Sequence, residues 1–161
     1  MNHRLDTNTQ VFFYENDFYP LSNFSAFRLI WGRHTFPTSE HAYQWEKFNW
    51  RSKIKRIGTL RGDILLAPSA HVAFKLAEEN GSLWRPDWFD VRVDIMRRIL
   101  RAKVEQHEYV RYKLLASGTR ALIEDSWRDD FWGWGPTGYG KNMLGQLWME
   151  IREEMRSQKE S

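Results

Sequence analysis

A short polar stripe near the start of a predicted helix is the first group of residues that could do chemistry. Thr38 or Ser39 caps this helix, which is predicted to run to about Asn49. The helical repeat places a carboxylate, a phenol, an amide and an amine on one face, namely Glu40, Tyr43, Gln44 and Lys47. A carboxylate in a cleft can accept a proton, orient a water or stabilise a developing sugar cation. The alternative is that Glu40 only complements the helix dipole, by about 0.3–1 kcal/mol.

A second group lies in a loop near the C-terminal end, where carboxylates, indoles and glycines are dense over residues 126–135. Asp129 and Trp132 belong to it, followed by Gly133 and Gly135. Binding residues concentrate on loops that a scaffold holds in place, which favours a ligand-binding segment. The alternative is a tight surface turn that its aromatic residues pin down, with the aspartates as turn formers.

Residues 133–138 also match the G-x-G-x-x-G spacing of dinucleotide-binding loops, but their context argues against that fold. Such a loop follows an apolar strand and opens a helix, whereas acidic and aromatic residues precede this one and Pro136 interrupts it. The glycines still allow backbone N–H groups to approach a phosphate or sugar closely. Lys141 and Asn142 then lie at the start of the last predicted helix, a position suited to an anion. The alternative is a solvated lysine and a simple helix cap.

The composition excludes several classes of site. The 161 residues include no cysteine, which excludes a thiolate nucleophile, an iron–sulfur cluster and the Cys-ligated zinc of nucleobase deaminases. None of the five histidines has a partner at metal-ligand spacing, so we expect no metal. No apolar segment approaches the roughly 20 residues of a membrane span, and no signal-peptide pattern is seen, so we expect a cytoplasmic protein.

Charge and aromatic content leave two kinds of binding open. The chain has 24 basic and 21 acidic residues, and the net charge of +3 is small for a protein that wraps DNA. The basic segment from Arg51 to Arg56 can contact phosphates, or it can be a solvated helix face. Most of the nine tryptophans are expected in the core, and a few are expected to stack on a flat ligand.

The patterning also predicts the elements that hold these groups. Short strands are expected at 11–14, 27–31, 34–36 and 121–123, with a turn at Gly32 between the second and the third. Helices are expected at about 38–49, 51–60, 69–81, 87–116 and 142–156, and the fourth can break into two pieces. The length fits one domain, from 11 to 156, between a disordered segment of residues 1–10 and a tail of residues 157–161.

Four separated motifs, in order along nearly the whole chain, resemble those of the YbiA-like or NADAR family. Leu21–Phe24 is the first, and residues 37–44 with Lys47 and Phe48 are the second. The third lies within 87–107, and the fourth lies within 132–152. The resemblance implies an α+β fold, a single domain that is mostly helical around a small β-sheet. It also implies hydrolysis of N-glycosidic bonds, in early riboflavin-pathway intermediates or between ADP-ribose and guanine bases.

The resemblance further implies roles for individual residues. Glu40 matches the acidic active-site residue of the family, and Trp88, Asp129 and Trp132 match positions associated with its pocket. The chain departs from bacterial members at residues 18–21 and 135–137, which border the expected pocket. These departures affect the choice of substrate more than the type of reaction.

We therefore predict a hydrolase in which Glu40 is the catalytic carboxylate that faces the sugar cation, with Asp129 in support. Trp88 and Trp132 are expected to stack on the base. The expected substrate contacts are Asn23, Tyr43, Lys47, Trp88, Trp132, Gly133, Gly135, Lys141 and Asn142. Lys47 would neutralise a phosphate or attack a ring-opened sugar as an amine.

No cofactor is expected, and the expected partner is a nucleotide-like small molecule or ADP-ribosylated nucleic acid. Two other function classes stay open. One is a module that binds ADP-ribose or nucleotides without turnover, which the carboxylate of Glu40 disfavours because it would repel phosphates. The other is a nucleic-acid-binding protein that uses the basic segment, and its affinity would fall steeply with added salt.

Overall fold

The computed structural model describes residues 5–14, 16–48 and 51–159. Contacts divide the chain into two compact units. We call Asn23–Gln106 the central unit, and Met1–Ser22 together with His107–Ser161 the terminal unit. The strands of the described residues are β1 (Gln10–Phe12), β2 (Leu29–Trp31), β3 (His34–Phe36) and β4 (Ala121–Ile123). The α-helices of the same residues are α1 (Ser39–Glu46), α2 (Lys55–Leu65), α3 (Ala70–Glu79), α4 (Trp88–Gln106), α5 (Glu108–Ala116) and α6 (Met143–Ser157).

The central unit begins with an antiparallel hairpin of β2 and β3, in which Leu29 pairs with Phe36. Gly32 adopts a φ of +59° in the turn, a conformation that a residue without a side chain adopts most easily. Helix α1 follows, and it packs against α2, α3 and α4. Its N-cap is Thr38, which has an extended backbone and accepts the N–H of His41 with its side-chain oxygen. This capped start fixes where the first turn of α1, and therefore Glu40, lies.

Helices α2 and α3 supply most of the apolar packing beside α1. Ser69 caps α3 by accepting the N–H of Val72. The buried cluster consists of Phe48 at the end of α1 and aliphatic residues of the next two helices and their connection, namely Ile57, Leu60, Ile64, Ala67, Ala73 and Ala77. Burial of each large aliphatic side chain stabilises the fold by roughly 1.5–3 kcal/mol. This packing holds α1 in place from one side.

The terminal unit is built on a parallel pair, in which Val11 of β1 lies opposite Leu122 of β4. Helix α6 packs against β4, and α5 packs against a short 3-10 helix over Asn16–Leu21. The buried face of α6 recurs at helical spacing and consists of Leu144, Leu147, Trp148, Ile151 and Met155. Trp148 donates its indole N–H to the carbonyl of Leu21 over 2.9 Å, so this buried ring has its polar group satisfied.

The α+β prediction is confirmed, as are the hairpin and the division of the long helix, which breaks at His107. The strands of the described residues form two two-stranded sheets. No helix of those residues is both long enough and apolar enough to span a bilayer. The domain bounds stay a prediction. Residues 1–4 and 160–161 of the predicted disordered ends lie outside the described residues, while Asp6 accepts the N–H of Phe12 over 2.8 Å.

The second predicted helix is displaced along the chain. It was expected at 51–60, but α2 begins at Lys55 because Ile54 is extended, and it continues to Leu65. The buried positions Ile57, Leu60 and Ile64 define its inner face, and this face runs past Gly62. A glycine in right-handed helical conformation does not end a helix, and Gly62 is not among the glycines with positive φ.

Candidate active site

Glu40 is held in a buried position at the start of α1, where only 6% of the residue is exposed. Its backbone N–H donates to the carbonyl of Asn23 over 3.1 Å. Its Oε1 accepts a short hydrogen bond of 2.6 Å from Nε2 of Gln44, one helical turn later. Gln44 Oε1 is buried and has no hydrogen-bond partner among the described residues. A buried carboxylate is therefore fixed in one orientation by its own helix and by the segment before the hairpin.

Lys47 lies one turn beyond Gln44 and is 4% exposed, which is unusual for a lysine. Its Nζ lies 4.1 Å from the ring centroid of Trp84, and the rings of Tyr43 and Trp88 lie at 5.7 and 5.9 Å. Tyr43 and Trp88 pack on each other with centroids 5.0 Å apart. Nζ also forms an ion pair of 2.7 Å with Oε1 of Glu78 on α3. The amine is thus enclosed by aromatic rings and one carboxylate.

The electrostatic balance at Lys47 has opposing contributions. Burial lowers the pKa of Lys47 below its usual value of 10.5, because the charged form loses water. The carboxylates of Glu78 and Glu40 raise the pKa, and the positive charge of Arg92 lowers it. The net result is a lowered pKa, so the neutral amine is more accessible here than on an exposed lysine.

Asn23 belongs to a buried network of polar side chains that includes Ser39, the residue before Glu40. The hydroxyl of Ser39 donates to Asn23 Oδ1 over 3.0 Å, and Asn23 Nδ2 lies 3.4 Å from the sulfur of Met96. Lys103 is fully buried and donates to the hydroxyls of Ser25 and Ser39, over 2.8 and 3.4 Å. The amide of Asn23 is therefore used to hold the start of α1, which makes it a positioning residue for Glu40.

Lys103 was missed as a functional position by sequence reasoning. It follows the apolar helical period of Ile95 and Ile99, and a lysine inside such a stripe is the signal that could have identified it. Its ammonium also lies 5.6 Å from the ring of Phe27. Through these hydrogen bonds Lys103 connects α4 to Ser39, whose hydroxyl in turn donates to Asn23.

Trp88 has a different position from the one expected. Only 2% of this residue is exposed, and its ring packs on Tyr43. A ring this enclosed has no open face for a base to stack on, so the expectation that Trp88 stacks on substrate is not supported. Its contacts instead make it a wall that positions Tyr43 and Lys47.

In the terminal unit, Asp129 organises the aromatic loop. Its Oδ1 accepts the backbone N–H groups of Phe131 and Trp132, over 2.9 and 2.8 Å. This is the turn-forming role that the alternative interpretation assigned to the aspartates. Trp132 is half-buried, and its ring meets that of Phe131 edge-on at 4.9 Å. Of the two tryptophans expected to stack, Trp132 is the one with exposed ring surface.

Four of the backbone N–H groups between Gly135 and Asn142 that were predicted to bind a phosphate donate instead to carbonyls of the protein. The N–H groups of Gly135, Gly140 and Lys141 donate to carbonyls of the same loop, over 3.1, 2.7 and 2.7 Å. The N–H of Asn142 donates to the carbonyl of Gly133 over 2.9 Å. These donors are satisfied within the loop, because it folds back on residues 124–134.

The glycines of this loop are required by its own packing. A Cβ at Gly133 would lie 2.8 Å from the Cβ of Ser126, and one at Gly135 would lie 2.8 Å from that of Asp130. Gly135 also has a φ of +71°. Close packing against Ser126 and Asp130 of the same loop therefore explains both glycines.

Asn142 has a structural role that uses its whole side chain. Its Oδ1 accepts the N–H of Glu124 over 2.9 Å, and its Nδ2 donates to the carbonyl of Leu122 over 2.9 Å. Its backbone is left-handed, with a φ of 49°, which asparagine tolerates better than most residues. The first N–H groups of α6 donate to loop carbonyls, as Met143 does to Phe131 over 2.9 Å. Loop carbonyls therefore accept the first N–H groups of α6, and anion binding at this helix start stays a prediction.

Lys141 is exposed, with its Nζ 5.5 Å from the ring of Phe131. The expectation that it binds phosphate rests on its charge alone and stays a prediction.

His41 is a structural histidine. Its Nε2 donates to the carbonyl of Ala67 over 3.0 Å, and its Nδ1 lies 2.7 Å from the hydroxyl of Thr38. Burial lowers its pKa below 6.5, while the bond to Ala67 opposes this. Within residues 5–14, 16–48 and 51–159, no group of three potential metal ligands comes together.

The predicted site residues divide between the two units. The central unit contains Asn23, Glu40, Tyr43, Lys47 and Trp88, which the contacts above bring together. The terminal unit contains the loop residues Asp129, Trp132, Gly133, Gly135, Lys141 and Asn142.

Comparisons with known proteins give a consistent result. The model of the NADAR domain family matches residues 12–156. The chain is 36% identical over 157 residues to the N-glycosidase YbiA of Escherichia coli, covering 96% of this chain and 92% of that protein. It is 38% identical to a riboflavin biosynthesis protein of Vibrio vulnificus, of which it covers 38%. The NMR structure of the E. coli protein YbiA superimposes with a TM-score of 0.81 at 36% identity, over 96% of this chain and 89% of that one.

Proposed function

This chain belongs to the NADAR family, and we propose that it hydrolyses the C1′–N bond of a ribosylated, phosphorylated heterocycle. The observation that carries the proposal is the buried carboxylate of Glu40, fixed by Gln44 and by the carbonyl of Asn23. The curated relative from E. coli, which matches over most of both chains, is named an N-glycosidase. The resemblance in sequence and the geometry of the site therefore support the same reaction type.

The chemistry follows from the charge that develops during cleavage. As the C1′–N bond breaks, its electron pair goes to the heterocycle, and positive charge builds on C1′ and the ring oxygen. A carboxylate at that place stabilises the cation electrostatically, and it can take a proton from the water that attacks C1′. Glu40 supplies this group, since its short bond to Gln44 holds Oε1 without a change of orientation. The heterocycle leaves with its nitrogen, and the sugar keeps the new hydroxyl.

Lys47 has two proposed roles that differ in the state of its amine. As an ammonium beside Glu78, it would contribute positive charge for a substrate phosphate. As a neutral amine, Nζ would attack C1′ of the ring-opened sugar, the heterocycle would leave with its nitrogen and a proton, and water would then hydrolyse the imine between Nζ and C1′ to free the lysine; the lowered pKa favours this second role. A titration of Lys47 separates the two roles.

The loop residues Asp129 and Trp132 stay proposed substrate contacts. Asp129 fixes the backbone of Trp132 through Oδ1, so the indole is presented in a defined position. Trp132 would stack on the base or the leaving heterocycle through its exposed surface, and a stacked indole contributes about 1–3 kcal/mol per base.

Two substrate classes fit this reaction. One is the phosphorylated pyrimidine ribosides of early riboflavin synthesis, which the name of the relative from Vibrio vulnificus supports. The other is ADP-ribose attached to a guanine base of a nucleic acid. We propose that the protein acts in the cytoplasm. The reaction needs only water and side chains, so the proposal includes no cofactor.

The experiment is a direct comparison of the two substrate classes. Purified protein is incubated with a phosphorylated pyrimidine riboside and, separately, with an oligonucleotide that carries ADP-ribosylated guanine. Mass spectrometry then follows each mixture over time, with unmodified oligonucleotide as control. We expect one substrate to release its free heterocycle and its sugar phosphate. Binding of either compound without any loss of intact substrate would show a binding module and contradict the proposal.

A further inference from the structure

A large cavity of about 980 Å³ lies in the central unit, and the residues proposed for glycoside cleavage do not line it. It is bounded by the turn of the β2–β3 hairpin, the end of α1, the segment before α2 and one face of α2. None of the residues that contact Glu40 or Lys47 in the preceding description lines it. Its volume is at the upper end of the range that holds small organic ligands, about 300–1,000 Å³.

Arg61 of α2 lines this cavity and is only 6% exposed. Its guanidinium carbon lies 3.3 Å from the ring centroid of Trp45, so one face of the group is covered by the indole. Its Nε is buried and has no hydrogen-bond partner among the described residues. Burial lowers the pKa of Arg61 to about 10, so the group is still charged at neutral pH. A buried, incompletely bonded guanidinium is costly, and an anion in the cavity would relieve that cost.

Most of the other charged residues that line the cavity are positive, as Arg61 is. Arg33, Lys53 and Lys55 line it, and all three are exposed. The carboxylate that lines it is Glu46, which accepts the indole N–H of Trp31 over 2.6 Å and whose negative charge also raises the pKa of Arg61. The wall is therefore strongly positive, with a buried cation and exposed cations around it. Such an arrangement attracts a ligand that carries more than one negative charge.

Two glycines of α2 leave this space open. Gly58 and Gly62 line the cavity one helical turn apart, and a Cβ at either position would meet no atom within 4 Å. A glycine inside a helix costs about 0.8–1 kcal/mol relative to alanine. Neither glycine has a positive φ or a close neighbour that requires it. The open volume beside Arg61 is what their lack of side chains provides.

We propose that this cavity binds a phosphorylated small molecule of nucleotide size, with the guanidinium of Arg61 on its phosphate. A planar guanidinium can bond two phosphate oxygens at once, and Arg61 lines the cavity with one face of its guanidinium covered by Trp45. Lys53 and Lys55 add charge for a second phosphate. The apolar side chains of Ile57 and Leu65 line the same cavity and receive the heterocycle.

A free nucleotide fits these observations better than a nucleic-acid strand. The decisive cation is buried at 6% exposure, where the backbone of a long strand reaches it poorly. Strand-binding proteins instead use extended positive surfaces with exposed aromatic rings. The occupant is thus a separate nucleoside diphosphate, and the cavity is a second ligand site besides that of Glu40.

The test uses ADP as the probe, with adenosine as the uncharged comparison, in calorimetric titrations of the full chain. We expect ADP to bind at least tenfold more tightly than adenosine. Gly58→Leu fills the cavity with a better helix former, so it should stay folded and lose at least tenfold in affinity for ADP. Arg61→Gln should show a similar loss. Lys75→Gln removes an exposed lysine of α3 outside the cavity, and it should bind ADP as the wild type does.

Further variants separate this site from the proposed catalytic one. Glu40→Gln should keep the affinity for ADP measured in the wild type, whatever its effect on turnover. No binding of ADP, or loss of ADP binding in Glu40→Gln with unchanged binding in Gly58→Leu, would overturn the proposal. An oligothymidylate that binds more tightly than ADP, and equally well to Gly58→Leu, would also overturn it in favour of a strand on the basic rim.

Discussion

Removal of the negative charge that faces Lys47 should change the protonation of its amine. In Glu78→Gln, the carboxylate 2.7 Å from Nζ is replaced by a neutral amide of the same shape. Burial already lowers the pKa of Lys47, and Glu78 is the largest of the groups that oppose this effect. The pKa of Lys47 should therefore be lower in the variant than in the wild type. Between these two pKa values, a larger fraction of Lys47 is the neutral amine in the variant.

The magnitude follows from distance and exposure. Two unit charges 2.7 Å apart would interact by about 6 kcal/mol at an effective dielectric constant of about 20. Glu78 is 43% exposed on its side chain, so water screens much of this. We expect the interaction between the two charges to contribute about 1–3 kcal/mol. This lies between the contribution of exposed ion pairs and the cost of breaking buried ones. This corresponds to a fall of roughly 5- to 150-fold in the ratio of ammonium to amine.

The sign of the stability effect follows from the same shift. The unfolded chain binds a proton at Lys47 up to about pH 10.4, whereas the folded chain releases it at lower pH. Stability therefore rises with pH between the folded and the unfolded pKa. The variant should be about 1–3 kcal/mol less stable than the wild type at neutral pH. This difference should shrink as the pH rises through the lowered folded-state pKa values of Lys47, and it should be absent above both of them.

The assay is an NMR titration of protein labelled with ¹³C at the lysine Cε, with the Lys47 signal assigned from Lys47→Arg. Glu79→Gln is the matched control, because it removes an exposed carboxylate next in sequence on the same helix. We expect a lowered midpoint for Lys47 in Glu78→Gln and a much smaller change in the control. Equal midpoints in the wild type and Glu78→Gln would refute the assignment of Glu78 as the group that holds the ammonium.

Three further predictions concern His41, Asn142 and Trp132. His41 has a lowered pKa, so acidification from pH 7 through 6.5 should reduce the free energy of urea unfolding, and His41→Gln should lose that part of the slope. Asn142→Ala removes two hydrogen bonds and places alanine at positive φ, so it should cost about 2–4 kcal/mol in unfolding experiments with unchanged turnover per folded molecule. Trp132→Ala should weaken substrate binding roughly 5- to 150-fold with a smaller loss of stability than a core tryptophan. Unchanged affinity with a large fall in melting temperature would make Trp132 structural.

Features set by neighbouring residues were predictable from the sequence. Thr38 caps α1 and Ser69 caps α3 through bonds that reach only three residues along the chain. The hairpin around Gly32 and the buried stripe of α6 follow from periods of two and 3.6 residues. Local patterns do not indicate an active-site role for Glu40. That prediction came from the family motifs, in which Glu40 matches the acidic active-site residue.

Features set by long-range contacts were not predictable. The N–H groups of the glycine loop are satisfied by carbonyls of residues up to eleven positions away, as the carbonyl of Asp130 is for Lys141. Glycines in such a loop are compatible with a ligand or with the chain itself, and the sequence does not distinguish them. Lys103 and Arg61 resembled ordinary helix cations, because burial depends on what packs against each helix. The predicted start of this helix at residue 51 is too early. The prediction followed the positive charges of residues 51–56 instead of the apolar period, and α2 begins at Lys55.

The central claim is that Glu40 promotes cleavage of a C1′–N bond, and Glu40→Gln tests it most directly. The fold should tolerate this change, because the new amide can donate to Gln44 Oε1, which has no partner among the described residues. Glu105→Gln, at an exposed position of α4, is the control. The measurement is the rate at which heterocycle and sugar phosphate are released together from the better substrate, followed by mass spectrometry. The account predicts a rate at least about a hundredfold below that of the wild type and the control, and a folded Glu40→Gln protein that releases both products at the wild-type rate would contradict it.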